Sequence, residues 1–308
     1  MTSPVPGSVP AAAYSALFAD FSLDVTAKEL GELEPARGVI PAGTAVHLAF
    51  PESADLTEQV SAARAIKEAG FRPEPIIAAR RLRSAGMLRE YLAALRAAGA
   101  GESVLVVGGD PAQPQGPYPD AAAVIGSGLL EGHGVRQASI AGHPGGHPAV
   151  ADDALWAALA GKTAALRRRG LDGSVVTQFG FDPVRVLTWL AEVRARGIGL
   201  PVRVSVPGPA TVRRLLAIAS RCGVAVSASA AEEYGFSLTD LTGTPGPDRF
   251  IRTLASGYDL RLHGEMRLHF NTFGGFAATA EWISKFRDWP VATDDAPIGS
   301  IRGITTTG

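Results

Sequence analysis

The stretch Val175-Val176-Thr177-Gln178-Phe179-Gly180-Phe181-Asp182 begins as an apolar, β-branched strand and ends in a polar pair, Thr177-Gln178. A glutamine amide donates and accepts hydrogen bonds without carrying charge, which suits the edge of a heterocycle better than a hydrophobic core. Two further runs end in the same way. Val104-Leu105-Val106-Val107 leads into Gly108-Gly109-Asp110, and Ser139-Ile140-Ala141 leads into Gly142-His143-Pro144-Gly145-Gly146-His147-Pro148. Asp110 follows two glycines that let the backbone approach a ligand closely. Buried-type strands that each deliver polar residues at one end are the pattern of a (β/α)8 active site.

Such tips need strands to hold them. Strands are expected at 21–26, 45–50, 74–79, 103–108, 137–142, 174–179, 202–206 and 266–273. Helices are expected between them at 56–69, 85–98, 152–169, 183–196 and 211–221; in the last, Leu215, Ile218 and Ala219 share a face with basic residues opposite. Strand–helix alternation gives a parallel sheet, and eight units without a GxGxxG fingerprint favour a closed barrel over an open sheet. The fold expected is α/β, a single (β/α)8 TIM barrel over residues 14–290. An extra helix is expected in 228–258, before strand eight. Residues 1–13 read as a flexible N-terminus and 291–308 as a loose tail.

The 46% hydrophobic share supports a large core, and a formal charge of −1 gives no electrostatic case for nucleic acid or an anionic membrane. The single cysteine, Cys222, excludes an internal disulfide, fits a reducing compartment and reads as an inert buried thiol. No apolar run approaches the roughly 20 residues of a membrane helix. The N-terminus lacks the pattern of a signal peptide. A cytoplasmic location is expected; the oligomeric state is left open.

If the strand tips face one pocket, its candidates are Asp24, Glu52, Asp110, His143, His147, Gln178 and Asn271 or Thr272. Asp24 and Glu52 are carboxyls that partial burial could tune into proton donors. His143 and His147 have the four-residue spacing of helical metal ligands, but the intervening prolines and glycines forbid a helix, so no metal is expected. A P-loop is absent, and no serine sits in a nucleophile elbow.

Taken together, these tips resemble methylenetetrahydrofolate reductases. Gly109-Asp110 with Pro114, Gly116 and Tyr118 resembles the family's GD after strand four. Residues 141–148 resemble its YPExHP-like loop, and 177–182 its TQFFFD strand six. Leu268-His269-Phe270-Asn271-Thr272-Phe273 looks like its last strand and Ser22-Leu23-Asp24-Val25-Thr26 like its first. The resemblance spans about residues 20 to 285. It implies reduction of 5,10-methylenetetrahydrofolate to 5-methyltetrahydrofolate with NAD(P)H. Protonation at N10 opens the five-membered ring to a 5-iminium, which accepts hydride. By the same resemblance Asp110 contacts the pterin, Gln178 contacts folate and nicotinamide, and Asp24 takes the place of the family's general-acid glutamate. Tyr118 and Phe179 complete the substrate set; Gly109, His143, His147, Lys162 and Thr272 remain for cofactor binding.

Departures accompany the match. Asp24 is one methylene shorter than the family's glutamate, which makes Glu52 the substitute donor. The family's flavin contacts fall on Ala49, Ile76, Gly108 and His143. Lys162 and Arg167 to Arg169 are the cations left to meet a diphosphate. The chain thus resembles the flavin-free branch, in which NADH passes hydride directly to the folate. An FAD-containing reductase and a non-reducing tetrahydrofolate-binding protein in one-carbon transfer are the alternatives.

Overall fold

A computed structural model describes residues 17–50, 55–238, 241 and 243–287. Eight parallel strands close into a barrel in sequence order: β1 Ser22–Val25, β2 Ala45–Leu48, β3 Arg72–Ala78, β4 Ser103–Val107, β5 Gln137–Gly142, β6 Val175–Thr177, β7 Val202–Pro207 and β8 Met266–Asn271. β1 pairs with β8 through Ser22↔His269 and Leu23↔Phe270, which closes the ring. The expected fold is the observed one.

Around the strands lie α1 Leu56–Glu68, α2 Ala85–Ala97, α3 Ala121–Gly126, α4 Asp152–Arg169, α5 Pro183–Ala195, α6 Val212–Arg221, α7 Asp248–Gly257 and α8 Phe276–Arg287, with shorter helical turns between some of them. Several begin at capping side chains just beyond the strand tips. Asp55 accepts from the Thr57 and Glu58 amides, Ser84 from Met87, and Asp182 from Arg185 ahead of Pro183 at the first helical position. Each cap satisfies an orphan amide and fixes where the chain leaves the mouth.

The structure adds to or alters the expected picture at four points. β6 and β8 end at Thr177 and Asn271, so Gln178, Phe179, Thr272 and Phe273 belong to loops at the mouth. Helix α6 does not return along the barrel wall. Its C-terminal end, Cys222 to Val224, shares a cavity with the β5 and β6 loops, so it runs across the mouth. The return falls to α7, which packs on α5. Where one extra helix was expected, the 228–263 region holds Ala228–Tyr234, α7 and Leu260–His263. Cys222, expected buried, is exposed at the end of α6 because the apolar stripe of that helix, Val212, Leu215 and Ala219, points elsewhere.

Inside the barrel the expected apolar filling is interrupted by a polar layer. His47 on β2 stacks on His269 on β8 with ring centroids 4.3 Å apart, and Glu74 on β3 accepts from the Ser139 hydroxyl on β5 at 2.6 Å. These strands are not neighbours, so the contacts run through the interior. Glu74 Oε2 also lies 2.9 Å from His47 Nε2, while Ser22 and His269 Nδ1 are 2.9 Å apart. At the closed end Arg203 donates to the Asp20 carboxylate and carbonyl, both at 2.7 Å.

Candidate functional site

At the mouth, a cavity of about 160 Å³ lies between the β5 loop, the β6 loop and the end of α6, lined among others by His143, His147, Gln178, Phe179, Arg185 and Cys222. Gln178 is held from both sides. Its backbone amide donates to Gly142 at 2.7 Å, and its side-chain carbonyl accepts from the Phe179 amide at 3.1 Å. The side-chain NH2 has no partner among the described residues, so a donor is available beside an aromatic floor. That floor is Phe179, which meets Phe273 edge-on at 4.9 Å and Phe181 at 6.2 Å. Tyr234 supports Phe181 at 5.2 Å and donates its hydroxyl to the Pro207 carbonyl at the tip of β7.

His143 is half-buried beneath the loop, with the exposed His147 edge-on at 5.7 Å. Burial, with the Lys162 and His147 charges adding to it, lowers His143 to about 4. It is therefore a neutral imidazole near neutral pH, able to donate from one nitrogen and accept at the other. His147 Nδ1 accepts from the Ala149 amide, as in a turn. Among the described residues no group of three or more His, Cys, Asp or Glu is placed to hold a metal ion.

Asp110 stands beyond β4, its side chain 89% exposed, gripped by Arg81 Nη2 at 2.6 Å. Gly109 precedes it with φ +89, and a Cβ there would sit 3.2 Å from that of Ala78, so the glycine is required for this approach. Arg81 is the important residue the sequence reading missed. It is buried at the tip of β3, donates to the Phe50 carbonyl at 2.7 Å and keeps its Nε without a partner. The strand-tip logic that singled out Asp110 also applies to Arg80-Arg81. Asp110 stands at the mouth end of the barrel but does not line the cavity. Burial chiefly raises the Cys222 thiol, with Arg221 opposing and Asp110 adding to it.

Asp24 is tied down more tightly than its proposed role suggests. Oδ2 accepts from Asn271 Nδ2 at 2.9 Å, and Oδ1 accepts from the Thr272 amide at 2.7 Å and hydroxyl at 2.8 Å. Asp24 and Thr272 therefore lock β1 to the end of β8. Glu52 lies outside the described residues. Tyr118 is 6% exposed and packs in the hydrophobic core rather than lining the cavity. Lys162 is buried on α4 and donates to the Ala141 carbonyl at 2.6 Å; burial, opposed by Asp120, lowers it to about 8. Arg167 to Arg169 occupy the last turn of α4, where Arg169 pairs with Glu131. Because α4 runs away from the mouth, these arginines stand at the wrong end for a ligand there.

The positions matching flavin contacts offer little to a diphosphate. Ala49 and Ile76 are apolar, and the Gly108 carbonyl accepts from the Arg80 amide. The nearby cations are committed: Arg80 to Pro119 and Pro111, Arg81 to Phe50 and Asp110. These residues do not fit FAD in the way the resemblance assigns. The mouth cavity instead offers a free amide, an aromatic floor and Arg185.

No helix among the described residues is long and apolar enough to cross a membrane. No family model matches the chain. An uncharacterized protein from Clostridium thermocellum, solved with two copies of 5-methyl-5,6,7,8-tetrahydrofolic acid, superposes with a TM-score of 0.58 at 8% identity, covering 87% of this chain and 93% of that one. Dihydropteroate synthase from Thermus thermophilus gives 0.44 at 16% identity over 87% and 92%. Deoxyribose phosphate aldolase from Aeropyrum pernix gives 0.47 at 14% over 92% and 99%. At these identities the first likeness establishes the barrel fold and nothing finer, and the other two fall too low to add to it.

Proposed function

We propose that this chain reduces 5,10-methylenetetrahydrofolate to 5-methyltetrahydrofolate with hydride taken directly from NAD(P)H. The carrying observation is the unpartnered Gln178 NH2 in a cavity floored by Phe179, which Phe273 backs edge-on; the Arg81-anchored Asp110 stands beyond β4 at the same end of the barrel. A pterin presents an apolar face and an edge of alternating donors and acceptors, and this set supplies a partner for each. The folate ligand of the Clostridium thermocellum barrel is of the same class.

NAD(P)H supplies the hydride. The chain's own residues hold and polarise the acceptor. Asp110, a carboxylate fixed by Arg81, accepts from the pterin's amino edge, and Gln178 bridges pterin and nicotinamide. Protonation at N10 breaks its bond to the bridging carbon, and hydride then adds to that carbon. Asp24 is the first candidate for the proton and Glu52 the second. Neutral His143 orients the ligand without adding charge. No step runs through flavin, since the residues at its expected contacts do not fit it.

One observation favours a second reading. Both oxygens of Asp24 already accept hydrogen bonds, as suits a purely structural carboxylate, and a chain without a proton donor would bind tetrahydrofolate without reducing it. Binding itself is tested by Gln178→Ala. Calorimetric titration with 5-methyltetrahydrofolate should show a loss of roughly 1–3 kcal/mol, because a polar group on the ligand is left unpaired. Unchanged affinity would remove Gln178 from the site.

A further inference from the structure

A second cleft adjoins the mouth. It has a volume of about 190 Å³ and opens between the first halves of α4 and α5, behind the β5 loop. His143, Pro144, Gly146 and Arg185 line both cavities, so the two are continuous around one arginine. One wall of the second cleft is aromatic. Trp156 and Trp189 stack at 5.8 Å and 20°, and Arg196 lies 4.2 Å from the centre of the Trp156 ring, fixing it from another side. Gly142 makes this wall possible, since a Cβ there would sit 2.7 Å from the Trp189 ring. The rim is polar: Asp152, Thr188 and Glu192.

We propose that this cleft is the subsite for the adenosine half of the dinucleotide hydride donor, with Arg185 holding the diphosphate between the cleft and the mouth. The inference rests on the reductase reading for the identity of the whole ligand. Its chemistry comes from the cleft itself. A flat purine suits the tryptophan wall. Arg185 spends its Nε on the Pro144 carbonyl at 3.1 Å, and its terminal nitrogens have no partner among the described residues. A guanidinium in that position matches a diphosphate, for which it is geometrically suited. The Asp152 and Glu192 carboxylates accept from ribose hydroxyls and repel an added ribose phosphate, the discrimination that an acidic residue imposes in other dinucleotide sites. The expected arginines of α4 are too far away to serve; Arg185 replaces them.

The test uses ADP-ribose, which carries the adenosine and diphosphate but no nicotinamide, titrated calorimetrically into the full chain. Saturable binding is expected. Arg185→Gln should weaken it by about tenfold or more, as loss of a charge-assisted contact does. Thr188→Phe, at an exposed rim position, should fill the cleft and weaken it similarly, and 2′-phospho-ADP-ribose should bind more weakly than ADP-ribose. Affinity for 5-methyltetrahydrofolate should stay unchanged in Thr188→Phe, which also reports on folding. Failure of ADP-ribose to bind, or affinity indifferent to both substitutions, would overturn the subsite. If ADP-ribose binds through Arg185 but NADH does not reduce methylenetetrahydrofolate, the subsite stands and the reductase reading falls. If reduction proceeds while ADP-ribose ignores both substitutions, the reverse holds.

Discussion

Asp24 and Gln178 both stand at strand ends, but their surroundings differ. Gln178 keeps its NH2 free in a cavity, whereas Asp24 spends both oxygens on Asn271 and Thr272. If Asp24 is the acid, protonation must release one of those contacts, and Asp24→Asn should lower turnover by roughly 10²–10⁴-fold with folate affinity retained. The amide would also face donors with a donor, so some stability should be lost; melting curves run beside the kinetics separate that cost from the loss of a proton. Should Asp24→Asn stay active while Glu52→Gln fails, the acid is Glu52. At this scale the sequence revealed residues by their place at apolar strand ends. The positions of Asp110, His143 and Gln178 beyond β4, β5 and β6 were legible that way. Tyr118 was not, because its motif spacing carries no information about which way the ring turns. Arg81 escaped because it follows β3 within an Ala-Arg-Arg-Leu run whose helical turn hides the tip.

Among the elements, β3 has the most unusual burden. Glu74 is 3% exposed in the barrel interior. Burial by itself would raise it, but His47, the Ser139 hydroxyl and Arg203 outweigh burial and bring it down to about 2. Glu74→Gln should therefore destabilise the fold by about 1.5–3 kcal/mol, since His47 and the Ser139 hydroxyl lose a charged acceptor in the barrel interior. Denaturant unfolding measures this, and a loss under about 1 kcal/mol would contradict the pairing. The strand–helix alternation was readable because period and β-branching differ between the two kinds of run. The polar layer was also written there, as alternate polar residues in Val-Arg-Val-Ser-Val of β7 and Met-Arg-Leu-His-Phe-Asn of β8. Helix α6 is legible as a helix but its place is not, because an apolar stripe looks the same whether it covers a barrel wall or a mouth. Direction, by contrast, could have been argued: α4 follows β5 and runs back from the mouth, which puts Arg167 to Arg169 at the far end.

Across the whole molecule, buried imidazoles set the response to acid. His143, His263 and His269 are all lowered, in each case chiefly by burial, His143 to about 4. The unfolded chain binds their protons near 6.5 while the folded chain does not, so stability is present above that value and declines as pH falls below it. Glu74 adds a later loss, because the unfolded carboxylate is protonated near 4.5 and the folded one only near 2. Denaturant midpoints measured at intervals from pH ~7.5 down to ~4 should fall throughout the lower part of that range; a flat profile would contradict these burials. The barrel brings His143, Gln178, Phe179 and Arg185 to one mouth, and on the proposed reading hydride reaches the folate there without a flavin relay. Flavin-free protein, mixed anaerobically with 5,10-methylenetetrahydrofolate and NADH, tests this most directly when dihydronicotinamide absorbance and 5-methyltetrahydrofolate are followed together. The account predicts oxidation of NADH in one-to-one step with methyltetrahydrofolate formation, requiring both substrates and unaffected by added FAD. Absence of product under these conditions, or product that forms only once FAD is supplied, would contradict it.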